Sequence, residues 1–167
     1  MKRIAITTFI LGIGASFPIY AGESISVPSQ KQIETHTEVY VPGMGEIMAA
    51  TQMRHAKLWF AGAANNWELS AYELDEIEEG LDDAVKFHPV FKKGAPIAAI
   101  LEKFTTQPLR DLRLAIAAKD SVMFNQAFSR LSGACNACHE AAGQGFIVIK
   151  QPDVSPFSNQ EFAVKSH

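Results

Sequence analysis

The chain has 167 residues, with 15 Lys and Arg against 18 Asp and Glu and a net charge of −3; apolar residues make up 47% and charged residues 20%. This length and balance describe one globular domain with apolar surface enough for a core that needs no disulfide staples. The acidic excess argues against a nucleic-acid binder, whose phosphate partners require a basic surface.

The chain opens on Met1, Lys2 and Arg3, followed by a mostly apolar run over residues 4–19 with Gly12, Gly14 and Pro18 near its end. Tyr20, Ala21 and Gly22 offer small residues for cleavage, and Glu23 and Ser24 turn polar. A basic start, a short apolar stretch and small residues make a secretory signal peptide over residues 1–22. A retained membrane anchor is the competing reading, but the run is short for a span and contains a proline. Without Lys2 and Arg3 the chain keeps 13 basic and 18 acidic residues, a net −5. No later stretch is long enough to cross a bilayer, so the expected compartment is exported and oxidising, a bacterial periplasm.

Residues 23–42 show no sustained period and read as an extended N-terminal arm. Helical spacing then begins at Gly43. Ile47, Met48, Thr51, His55, Leu58, Trp59 and Gly62 share one face, and Asn65 and Asn66 mark a stop and the next cap. A second helix is predicted over 67–87, with Trp67, Ala71, Leu74, Ile77, Leu81, Ala84 and Val85 inward, ended by Pro89. Residues 88–95 read as a loop and 96–104 as a short helix. Thr106, Gln107 and Pro108 read as a cap with proline at the first helical position, opening a third main helix over 108–119. The last helix starts at Asp120 or Ser121, places Phe124, Phe128, Leu131, Cys135 and Cys138 on one face, and is stopped by Gly143 and Gly145. The tail 143–167 is expected to wrap the bundle in extended form, with a strand signal only at 146–149. The fold class is therefore all-α, an antiparallel four-helix bundle over 43–142 flanked by an arm and a tail. Tyr72, Trp59 and Trp67 are expected in the core.

The only two cysteines, Cys135 and Cys138, stand three apart with His139 directly behind them. A disulfide within one helical turn has poor geometry. A thioredoxin-like pair belongs at a helix N-terminus, where the dipole lowers the thiol pKa, and this one lies near a C-terminus. Structural zinc needs four ligands, and there is no second pair. The remaining pattern, C-x-x-C-H, is that of c-type haem attachment: each cysteine forms a thioether and the histidine ligates the iron. It accounts for all three residues and for the export signal together.

A helical chain with its single C-x-x-C-H late in the last helix resembles the cytochromes c′ and related four-helix-bundle cytochromes. The resemblance covers roughly residues 43–142 and rests on helix count and motif position. It implies one covalent haem c in the bundle core, Cys135 and Cys138 as attachment sites and His139 as the proximal iron ligand. Two departures stand out. Glu140, Ala141, Ala142 and Gly143 follow the histidine where those cytochromes carry a basic residue, and the tail is longer than theirs. In that family the residue facing the other side of the iron comes from the first helix, about three turns in. His55 falls there and is the first candidate for a distal ligand; Met48, Met53 and an open apolar pocket are the alternatives. His36 and His88 read as surface residues. Trp59 is a candidate for packing on a haem edge, and Phe128 and Leu131 for touching the ring.

Glu73, Asp75, Glu76, Glu78, Glu79, Asp82 and Asp83 form an acidic run without an intervening base. It reads first as a solvated helix face and second as a docking patch for a basic redox partner. No acid–base or nucleophile set stands out, so the expected role is one-electron transfer and not substrate turnover. A gas-binding protein with five-coordinate iron is the alternative, and an exported helical protein without haem is a third reading. The resemblance also implies pairing into a homodimer.

Overall fold

The computed structural model describes residues 40–164. The expected signal peptide, His36 and all but the last residues of the expected arm lie outside the described residues. Four helices carry the structure: α1 (Met44–Ala63), α2 (Trp67–Phe87), α3 (Ile97–Ala118) and α4 (Ser121–Ala141). The fold is all-α. A two-stranded antiparallel ribbon, β1 (Val90–Phe91) and β2 (Ala95–Pro96), closes the α2–α3 connection. Among the described residues no helix is long and apolar enough to cross a membrane.

Local chemistry sets the helix ends. The Asn66 side chain accepts from the Leu69 N–H, and Asp120 accepts from the Val122 and Met123 N–H groups, so both caps satisfy donors that a helix start leaves orphaned. Connections of only three residues before α2 and two before α4 force each helix to run antiparallel to the one before it. Arg54 of α1 pairs with Glu73 and Glu76 of α2, Arg113 of α3 with Asp75 and Glu78 of α2, and Arg130 of α4 with Asp111 of α3.

The main core collects Leu58, Leu74, Ile77, Leu112, Phe124, Phe128 and Leu131, all essentially inaccessible. Trp59 lies 5.0 Å from Phe128, and Trp67 meets Phe124 edge-on at 6.0 Å. Burying a side chain of this size stabilises by roughly 1.5–3 kcal/mol each. Gly62 is required where it is: a Cβ there would fall inside the edge of the Phe124 ring. A smaller cluster of Ile47, Ala84 and Ile97 sits toward the other end.

Several expectations are corrected. Residues 96–104 and 108–119 are not two helices: α3 runs unbroken through Pro108. Proline removes one backbone bond, but Ile97, Thr105, Leu112, Ala115 and Ile116 bury a continuous face on both sides of it. The Thr105 and Thr106 hydroxyls donate to the Leu101 and Glu102 carbonyls just before the proline, at 2.7 and 2.8 Å. Residues 146–149 are extended but form no strand; the ribbon lies at 90–96 instead. Tyr72 is 49% exposed, outside the core, beneath the Arg54 guanidinium. The acidic run is not simply a solvated face: four of its seven acids are tied to Arg54 or Arg113, and Glu73 is buried. Burial pushes the Glu73 carboxyl up, opposed by the Arg54 hydrogen bond and charge.

Candidate functional site

Between the two apolar clusters lies a cavity of about 470 Å³. Ile77 and Leu131 of the larger cluster and Ala84 and Ile97 of the smaller one form opposite parts of its wall. All four helices contribute, and Ile147 and Ile149 of the tail complete it. The volume and the apolar lining fit a small-molecule or cofactor site.

Cys135, Cys138 and His139 all line this cavity. The thiols continue the apolar stripe of α4, as the spacing predicts, and are unpaired. Burial pushes the Cys135 thiol up to about 12 and the Cys138 thiol to about 11, and their mutual repulsion adds to the rise at Cys135. A thiol held so far from ionisation is a poor nucleophile for disulfide exchange and a poor zinc ligand. Among the described residues no three His, Cys, Asp or Glu side chains gather in a way that would hold a metal ion.

The His139 ring is oriented by one backbone hydrogen bond. His139 Nδ1 lies 2.8 Å from the Ile147 carbonyl oxygen. A carbonyl only accepts, so Nδ1 carries the proton and Nε2 keeps its lone pair. Metal-binding histidines are commonly oriented in this way by a backbone carbonyl on the other nitrogen.

His55 reaches the cavity wall from α1, as the sequence predicts, but its ring is committed elsewhere. Ser132 Oγ donates to the Phe128 carbonyl at 3.0 Å and accepts from His55 Nε2 at 2.9 Å. The ring packs on Phe128 with centroids 4.4 Å apart. Burial lowers its pKa to about 4, so it is neutral at pH 7. Ser132 is absent from the sequence reading; a hydroxyl one heptad before His139 on the same helical stripe is the signal that points to it.

Two contacts fix how α1 and α4 run past each other: His55 faces Ser132, and Gly62 faces Phe124. The second pair lies two turns further along α1 and two turns back along α4, as an antiparallel register requires. Met48 stands two turns before His55 on α1 and His139 two turns after Ser132 on α4, about 10.5 Å along each helix. Met48 is partly buried and lines the cavity. Met53 is 41% exposed and does not line the cavity. Trp59 and Phe128 belong to the core and not to the cavity wall, whereas Leu131 belongs to both. His88 is partly buried and donates from Nε2 to the Pro42 carbonyl at 2.8 Å, fastening the chain before α1 to the end of α2.

Comparison with protein-family models, with curated proteins and with solved structures finds no match. The functional reading therefore rests on the residues and their arrangement.

Proposed function

We propose that the protein is an exported mono-haem c-type cytochrome that transfers single electrons. The observation that carries this is the convergence of Cys135, Cys138 and His139 on one apolar cavity enclosed by all four helices. The residues fit a covalent haem c: two un-ionised thiols for thioether bonds, a histidine whose tautomer leaves Nε2 free, and apolar walls. A haem held there would supply a one-electron couple. Cys135 and Cys138 would hold it, and His139 would ligate the iron from α4. Met48, which lines the same cavity from α1, would offer the iron a thioether, a donor that raises the potential. The apolar walls exclude water, so a change of charge meets little solvent rearrangement. Export to a periplasm, a basic redox partner and homodimer formation belong to the same reading, carried in turn by the signal-peptide pattern, the acidic run and the resemblance.

One observation favours a gas-binding alternative. His55, the imidazole on the α1 wall, has its Nε2 committed to Ser132. If Met48 stays off the iron, the distal side is an apolar pocket open to nitric oxide or carbon monoxide.

The test is pyridine haemochrome analysis of protein made with a haem-attachment system, followed by spectra of the reduced protein with and without carbon monoxide. Electron transfer predicts a low-spin wild type that ignores carbon monoxide. Met48→Ala becomes high-spin and carbon monoxide-reactive, while His55→Ala stays low-spin. A high-spin wild type that binds carbon monoxide at once moves the assignment to gas binding. Protein without covalently retained haem ends both readings.

A further inference from the structure

The segment after α4 is fastened to the motif residues themselves. Gly143 adopts φ +71°, a left-handed conformation that lets the chain reverse over the end of the helix. The Gly143 N–H then donates to the Glu140 carbonyl at 3.0 Å and the Gln144 N–H to the His139 carbonyl at 2.7 Å, the paired bonds of a Schellman ending. The chain turns back so that the Ile147 carbonyl meets His139 Nδ1 at 2.8 Å. Two residues later Asn136, an interior residue of C-x-x-C-H, grips the same strand at both ends of its amide. Its Nδ2 donates to the Ile149 carbonyl at 2.9 Å, and its Oδ1 accepts from the Ile149 N–H at 2.7 Å. Ile147 and Ile149 turn toward the cavity, while Phe146 and Val148 stay 79% and 71% exposed. The segment is thus held by side-chain bonds to α4 and by Ile147 and Ile149 at the cavity, Ile147 keeping 41% exposure.

We propose that residues 143–149 form a strap that sets the electronic character of His139, and that Asn136 is the positioning residue that holds the strap in register. The proposal rests on the haem reading above. A carbonyl fixed on Nδ1–H pulls proton density away from the ring and makes Nε2 a stronger donor to iron, which favours the ferric state. Asn136 touches neither His139 Nδ1 nor, by its hydrogen bonds, any cavity group. It acts through the Ile149 backbone, two residues from the carbonyl that matters. The pattern is specific: a free tail would leave Nδ1 to water, whose bond is not fixed in length or direction.

The experiment compares wild-type holoprotein with Asn136→Ala, which loses both bonds, and Asn136→Asp, which keeps an acceptor for the Ile149 N–H. Haemochrome analysis comes first and tests only the haem reading. In loaded protein the Asn136→Ala potential should rise by about 59 mV, a tenfold shift of the ferric–ferrous equilibrium for one electron. In a Met48→Ala background, whose reduced iron is five-coordinate under the same reading, the iron–histidine stretch should fall in frequency on adding Asn136→Ala, and Asn136→Asp should lie between. A purely structural Asn136 would lower the melting temperature and leave both readouts in place, and that result overturns the proposal. Should Asn136→Ala not load, the wild-type holoprotein decides. A His139 Nδ1 proton that is slow to exchange and close to Ile147 by NMR supports the strap, and one exchanging as freely as an exposed imidazole overturns it.

Discussion

His55 makes the bundle acid-sensitive by an amount that follows from its burial. It is only 4% exposed, has no charged partner, and its pKa falls to about 4 from an ordinary 6.5 because burial penalises the imidazolium. Above pH 6.5 the ring is neutral in folded and unfolded chains alike, and its contribution is fully present. As the pH falls below 6.5 the unfolded chain takes up a proton that the folded chain refuses, so stability falls with pH. Near pH 4 the folded ring protonates too and the loss levels off. The gap corresponds to roughly 3 kcal/mol lost across that window, a large share of the roughly 5–15 kcal/mol that holds a domain of this size together. The perturbation is His55→Gln, which cannot titrate but can still reach Ser132. The assay is guanidinium unfolding followed by circular dichroism, stepped from about pH 7.5 to about pH 4.5. The wild-type-minus-variant difference should shrink steadily as the pH drops, whatever its value at pH 7.5. Parallel curves for the two proteins would refute the argument and mean that His55 either is not buried neutral or is protonated in the fold at no cost.

Gly62→Ala should destabilise by about 1–3 kcal/mol, because the new methyl must displace a fully buried Phe124 ring wedged against two tryptophans; a melt within experimental error of wild type would show that α1 and α4 can separate freely there. Arg54→Met leaves Glu73 buried without its cation and should cost about 3 kcal/mol, the low end for a broken buried pair because Arg54 keeps 23% exposure. Adding Glu73→Leu should recover most of that loss, and an additive double variant would count against the pairing.

The C-x-x-C-H spacing was legible at once, because three chemically distinctive residues at fixed spacing leave few alternatives, and the fold brings all three to one cavity. The faces of α1, α2 and α4 were equally plain: Leu58, Leu74, Ile77, Phe124 and Leu131 repeat at helical intervals, and periodicity is a property of the sequence itself. The break expected at Pro108 failed for a physical reason. A proline's local cost is fixed by its covalent structure, but the burial that offsets it comes from α2 and α4, which are distant in the chain. The acidic run misled in the same way, since Arg54 and Arg113 lie on other helices.

By itself the sequence determined on which helical faces the candidate side chains stand. Tertiary structure decided what those side chains meet. The slide of α1 along α4 is set where Gly62 admits Phe124 and His55 seats Ser132. The Ile147 carbonyl finds His139 only because Gly143 turns the chain back and Asn136 holds it. Spacing along one helix is set by bonded geometry and can be counted in the sequence; register between helices is set by how side chains of different size pack against one another, and only the folded molecule contains it.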